Sequence, residues 1–286
     1  MTLASTVRRL SDLSRHSAKD PYVEFQWPDE LEPGHDWFTT PEYLSLVGTG
    51  IWPTLSEERR KSLSFHEAAN FYSLNIHGEK TLLQGLSARL YRSDMVEVSP
   101  YLHHFIDEEN KHSVYFGGFC TRYAKVYRNR QFSLGVQRLP QDVEDFLFFA
   151  KTLIFEEVGD HYNWVQMRDD RLHPLARRIN RSHHVEEARH LLFGRALVTD
   201  LWQHQEWSRE TVRDVRDHLV QYFVSGWKQY YNPDVYADAG LTHAFDLAEE
   251  AWYSPVQRAH RKTASAKCEE FLVDARILPP ESLDVC

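Results

Sequence analysis

Residues 179–190 read Ile179-Asn180-Arg181-Ser182-His183-His184-Val185-Glu186-Glu187-Ala188-Arg189-His190. On a helix, positions three and four apart share a face. His183, Glu187 and His190 therefore point to one side, and His184 faces roughly 100° away. The same face carries Leu175, Ile179, Leu191 and Val198, an apolar stripe on which an unpaired charge would be expensive. A second Glu-x-x-His, Glu109-Asn110-Lys111-His112, lies on a stripe with Leu102, Phe105, Phe116 and Cys120. A third copy, Glu32-Pro33-Gly34-His35, falls in a Pro/Gly stretch and cannot be helical. With 23 Glu and 16 His in 286 residues, roughly one copy arises by chance. Placement, rather than number, carries the reading.

A helical bundle that holds two metal ions uses a Glu from each of two helices and a Glu-x-x-His from each of the other two. Upstream of the first motif, Glu79 lies mid-stripe among Tyr72, Ile76, Leu83, Leu86 and Leu90. Upstream of the second, either Glu156 or Glu157 fits. Glu79 precedes Glu109 by 30 residues, and Glu156 precedes Glu187 by 31. Each interval is one antiparallel helix pair, and the two pairs form a pseudo-repeat. Carboxylate-rich sites with imidazole suit iron or manganese better than zinc. His183 adds a third imidazole and makes one ion richer in nitrogen than its partner.

Working outward, proline-free runs cover about 64–92, 100–130, 140–166, 174–202 and 207–230, with a last helical stretch at about 243–272. Prolines 100, 140 and 174 open runs where a missing N–H costs least. Thr54-x-x-Glu57 and Ser64-x-x-Glu67 match capping boxes. Pro21 to Pro53 holds five of the twelve prolines and reads as irregular. No period-2 strand is visible. The expectation is an all-α chain of five to seven helices with a ferritin-like four-helix bundle core and additional helices. It forms a single domain over 1–286: an irregular lead-in at about 1–55, the metal-binding bundle at about 56–202, and C-terminal helices at about 205–275.

Composition excludes several classes. The formal charge of −9 argues against nucleic acid as a partner. It also makes an acidic carrier protein a poor fit. Mean hydropathy is −0.55 with no apolar run near 18 residues, so no membrane span is expected. The first twenty residues lack the apolar core of a secretory signal. Three cysteines without a CxxC suit a reducing cytoplasm rather than a disulfide framework. The 38 aromatic residues serve bundle packing or line a cavity.

These residues resemble the para-aminobenzoate N-oxygenase-like non-haem di-iron oxygenases. The 179–190 stretch is similar to that family's signature helix, His-x3-Glu-x2-His with the preceding Asn-Arg. Glu108-Glu109-x-x-His112 resembles its Asp-Glu-x-x-His, and Gly78-Glu79 its first ligand. The resemblance runs from about residue 65 to 200. It implies the ligand set Glu79, Glu109, His112, Glu156, His183, Glu187 and His190, placing Glu156 rather than Glu157 because the family's fourth glutamate stands about 27 residues before the extra histidine. It implies Glu109 and Glu187 as bridging ligands, Glu79 and His112 completing one iron, and Glu156, His183 and His190 the other. Glu108 departs from the family's usual Asp. The implied activity is O2-dependent N-oxygenation of a small primary amine in a biosynthetic pathway, with two Fe ions and an external electron donor; a homodimer is the possible assembly. Rival readings are a carbon-directed di-iron oxygenase, a ferritin-like store and a metal-free helical interaction protein. A fourth, the radical-generating small subunit of ribonucleotide reductase, needs a Tyr where Phe116 stands.

Overall fold

The computed structural model describes residues 2–17, 19–128 and 139–283. Its core is four long helices: α2 (Glu57–Arg89), α3 (Ser99–Tyr123), α4 (Gln141–Gln166) and α5 (Pro174–Gln203). The short connections 90–98 and 167–173 fold α2 with α3 and α4 with α5 into two antiparallel hairpins. Their apolar faces pack together around Phe105, Phe116, Phe119, Leu153, Ile179 and Phe193, all buried. Among the described residues there is no strand, only an isolated bridge between Trp37 and Leu172.

Helix ends follow local chemistry, and they differ from expectation in places. Ser56 caps α2, its Oγ accepting from the Arg59 amide at 3.3 Å, so the helix starts about two turns before Ser64. Neither capping-box match forms: Ser64 is buried inside α2, and Glu67 turns to the backbone and hydroxyl of Ser45. The run expected to reach Arg130 ends at Tyr123, and Arg130 lies outside the described residues. Asn232 caps α7 (Pro233–Asp238), which follows α6 (Arg209–Lys228). The last stretch is two helices, α8 (Ala244–Tyr253) and α9 (Pro255–Asp274), because Pro255 cannot continue a helix and instead opens one.

The lead-in is also not wholly irregular. Leu3–Ser17 forms α1, whose buried side is Thr6, Val7, Leu10, Ser11 and Ser14. This side packs against α3 and α5; Leu3, Val7 and Leu10, at i, i+4 and i+7, are its signal in a stretch that is polar on average. Residues 19–55 contain only two 3-10 turns and lie over the bundle. Phe25 meets the Tyr115 ring edge-on at 4.8 Å. Phe38 stacks on His173, whose Nδ1 accepts from the Leu175 amide and caps α5.

Close approach of the hairpins depends on two glycines of α2. A Cβ at Gly78 would lie 2.6 Å from the Phe155 ring, and one at Gly85 would collide with Phe148. Gly78 precedes Glu79 and Phe155 precedes Glu156, so this close contact lies one residue from each of those two glutamates.

Candidate metal centre

The centre sits mid-bundle, where a charged side chain is stable only with partners. Glu109, His112, Glu187 and His190 place one ligand atom each within 4.8 Å of one another, and all four are buried. Glu79, His112 and His183 form a second such group. Three imidazole nitrogens aim at the shared space. His112 Nδ1 is 3.3 Å from both Glu109 Oε2 and Glu187 Oε1. His190 Nδ1 is 2.8 Å from Glu109 Oε1. His183 Nε2 is 3.0 Å from Glu187 Oε1 and 3.8 Å from Glu79 Oε1.

The opposite ring nitrogens are each held by a polar side chain. His112 Nε2 donates to Glu186 Oε2 at 3.1 Å. His190 Nε2 donates to Glu108 Oε2 at 2.8 Å, and Arg189 donates to Glu108 Oε1 at 2.6 Å. Burial works against ionising Glu108, yet His190 and Arg189 overcome it and hold the carboxyl at about 2. The residue before each motif glutamate thus reaches across to the other motif's histidine. Glu186 was not singled out from the sequence, although the repeated Glu-Glu-x-x-His was its signal. Asn163 lies 2.5 Å from His183 Nδ1. The amide nitrogen faces that ring nitrogen; turning the Asn163 amide over would put its oxygen there to accept the Nδ1 proton and leave Nε2 as the lone pair a metal needs. His184 faces away, as the helix geometry requires, and pairs with Asp160 at 2.6 Å.

Several buried polar atoms in this cluster have no hydrogen-bond partner: Glu109 Oε1, Glu156 Oε1, Glu187 Oε2 and His183 Nε2. Unsatisfied buried acceptors cost about 1–3 kcal/mol each, more when charged. Three of the four sit on residues of the two close groups, where Glu109 Oε1 and His183 Nε2 face only other ligand atoms, at 2.8 and 3.0 Å, and a cation there would satisfy them. The donor set, carboxylate oxygen and imidazole nitrogen without thiolate, suits iron or manganese. Cys120 takes no part, and burial pushes its thiol up to about 12.

The two adjacent glutamates of α4 separate cleanly. Glu157 pairs with Arg195 Nε at 2.6 Å. Glu156 is buried without such a partner, and burial and then the Glu187 and Glu109 charges drive its carboxyl well above its ordinary range. Glu156→Gln should therefore lose metal, while Glu157→Gln should keep it and lose only the Arg195 pair. Metal analysis of both variants checks this, and loss confined to Glu157→Gln would reverse it. One grouping differs from expectation: His183 gathers with Glu79 and His112, on their side of Glu187, and no such close group includes Glu156.

Protons stand in for metal charge when no ion is bound. Burial opposes the His112 imidazolium, but Glu109, Glu186 and Glu187 outweigh it and push the ring up to about 10. His190 is raised likewise, against burial, by Glu187 and Glu109. A folded-state value above the unfolded 6.5 gives stability that is complete below pH 6.5 and lost as pH rises through about 10. The metal-free chain should melt at lower temperature across that window. Metal uptake should release protons and tighten with pH. Thermal melts and calorimetry in buffers of different ionisation enthalpy check both, and a pH-independent melt would contradict the assignment.

The sequence matches the P-aminobenzoate N-oxygenase AurF family over residues 2–276. The chain belongs to that family. Uncharacterised proteins of Mycobacterium bovis and Mycobacterium tuberculosis are 27% identical to it over 205 residues, 67% of this chain. That stretch spans 60% of those relatives' length. A solved R2-like ligand-binding oxidase variant with a Mn/Fe cofactor superposes with TM-score 0.51 at 14% identity, covering 90% of this chain and 93% of its own. At that identity the likeness shows the fold, a ferritin-like bundle. Membership extends the resemblance past residues 65–200 to α1 and to α6–α9. Within the family's pattern Glu108 replaces an Asp, and its extra methylene spans to both Arg189 and His190. Phe116 packs edge-on to His183 at 4.8 Å, where the radical-generating reading needs a phenol. No helix among the described residues is long and apolar enough to cross a membrane.

Proposed function

We propose that this oxidoreductase of the AurF family holds two iron ions through Glu79, Glu109, His112, Glu156, His183, Glu187 and His190. We further propose that it uses O2 to oxygenate the nitrogen of a small primary amine. The observation that carries this reading is the buried gathering of Glu109, His112, Glu187 and His190, with Glu79, His112 and His183 as a second group that shares His112. Iron bound there would supply O2 activation, with electrons from an external donor. The chain's own residues do the rest. Glu186, Glu108 and Asn163 fix the three rings, so the ligand atoms stay aimed without reorganising. Glu109 and Glu187 belong to the four-residue group, and Glu187 also lies 3.0 Å from His183, so these two would be the ligands shared between the ions. Phe105, Phe116 and Phe193 keep bulk water out. Incubating the iron-loaded, reduced chain with O2 and a panel of amines tests it. The expected products gain one oxygen atom on nitrogen, or proceed to nitroso or nitro compounds. Products oxygenated only on carbon would replace this reading with a hydroxylase.

His183 gives one ion a second nitrogen ligand, so the two ions should be inequivalent. His183→Ala is expected to weaken one site about tenfold or more and to merge the two iron signals in Mössbauer spectra. Unchanged iron content and spectra would remove His183 from the ligand set.

A further inference from the structure

Glu67 is a carboxylate that the metal centre does not use. It stands twelve residues before Glu79 on α2, about 18 Å along the helix axis. Together with Thr39, Ser45, Phe71, Tyr162 and Gln166 it lines a cavity. The Ser45 amide lies 3.1 Å from both carboxylate oxygens, and the Ser45 hydroxyl donates to Oε1 at 2.5 Å. An N–H shared between both oxygens is the geometry of an ionised carboxylate, which accepts on each and donates on neither.

Two further observations concern the same cavity. Among the described residues, its lining holds no Lys, Arg or His to balance that charge. Gln166 is 2% exposed, lines the cavity, and has no hydrogen-bond partner for its side-chain amide among the described residues. A carboxylate away from bulk water without a cation is costly, and so is a buried amide without a partner. The free volume is about 20 Å³, room for one occupant of water size. A water would serve Gln166 and leave Glu67 uncompensated. A divalent ion would leave one positive charge over. A monovalent ion relieves both groups and brings the site to neutrality.

We propose that this cavity is a monovalent-cation site. Glu67 supplies the balancing charge. The Gln166 amide oxygen and the Thr39 and Ser45 hydroxyls supply neutral oxygens, the donor chemistry that replaces the hydration shell of potassium. Ammonium, of the same charge and of similar size, would take the same place. These donors come from three separate parts of the chain: residues 39–45 of the lead-in, α2 and α4. A bound ion would therefore brace the lead-in against the bundle, whatever the metal centre oxygenates.

A proton is the competitor. Without an ion, burial pushes the Glu67 carboxyl up to about 8 despite its bonds from Ser45. The surrounding groups do not compete for it. Burial raises the phenols of Tyr43, Tyr162, Tyr230 and Tyr236 and lowers the His161 imidazole, which bonds Tyr43. Arg261 of α9 donates to the Tyr231 hydroxyl and the Trp252 carbonyl. Potassium should therefore bind more tightly as pH rises through about 8.

Thermal melting of the full, metal-loaded chain in potassium chloride, against tetramethylammonium chloride at equal ionic strength, tests the site, because tetramethylammonium is too large for the cavity. Potassium should raise the melting temperature by at least about 2 °C at about pH 8.5 and by less at about pH 6.5. Ammonium chloride should do the same. Glu67→Gln should abolish the difference and retain its metal. Crystals of the unaltered chain grown in rubidium chloride read the site directly, and one anomalous peak between Glu67 and Gln166 is expected. A melt indifferent to potassium at the higher pH, a potassium effect that survives Glu67→Gln, or a cavity holding only water in rubidium would overturn the proposal.

Discussion

Glu187→Ala is expected to strip the chain of nearly all bound metal, and Glu109→Ala to do the same. Glu187 Oε1 lies 3.0 Å from His183, 3.3 Å from His112 and 3.4 Å from His190. Among the described residues no other carboxylate touches all three rings, so its loss removes one donor and the charge that orders three more. The expected drop in affinity exceeds the 10–100-fold that follows loss of a supporting hydrogen bond alone. A second readout is independent of metal. In the metal-free chain, Glu187 and Glu109 compensate the His112 and His190 charges. Removing one partner of a buried charge pair costs about 3–5 kcal/mol, so the metal-free variant should also melt at a lower temperature. Metal analysis and thermal melting together check this. Full metal content in both variants would show the ligand set to be wrong.

Phe105→Ala is the largest expected effect on folding. The side chain is 1% exposed and stacks on His190 with ring centroids 4.1 Å apart. It also meets Phe193 at 5.9 Å and Tyr101 at 6.1 Å. Truncating such a ring costs about 3–5 kcal/mol, through lost transfer energy and the cavity left behind. For a chain of this size that lowers the melting temperature by roughly 6–20 °C. The His190 ring loses its packing wall, so metal should also bind more weakly. Phe105→Leu retains most of the volume and should cost much less. Calorimetry of both variants decides it; a change below about 1 kcal/mol in Phe105→Ala would mean that the ring is not part of the support.

How much of this was readable in the sequence depends on which force made each feature. The bundle helices α2 to α5 were legible because buried apolar residues recur with helical period, and prolines 100, 140 and 174 mark starts. The cluster was legible because Glu-x-x-His on such a stripe is costly without a partner. α1 was passed over because its stretch is polar on average, although Leu3, Val7 and Leu10 recur at helical spacing on the side that packs against α3 and α5. Pro255 was passed over inside a stretch that otherwise reads as helix. The Ser64-x-x-Glu67 pattern misled because tertiary contacts with Phe38 and Ser45 claimed both side chains. Asn163 and Glu186 act across helices, so no local spacing announces Asn163, and only the repeated double glutamate pointed to Glu186. Glu157 and Glu156 could not be separated by helix face, because Arg195 on α5 decides between them.

Metal analysis of the chain, purified without added chelator and reconstituted with iron(II) under anaerobic conditions, tests the central claim most directly. The account predicts about two ions per chain, held by oxygen and nitrogen donors alone in X-ray absorption, with the second ion weakened in His183→Ala. No stoichiometric metal, or a single ion unaffected by Glu109→Ala and Glu187→Ala, would contradict it.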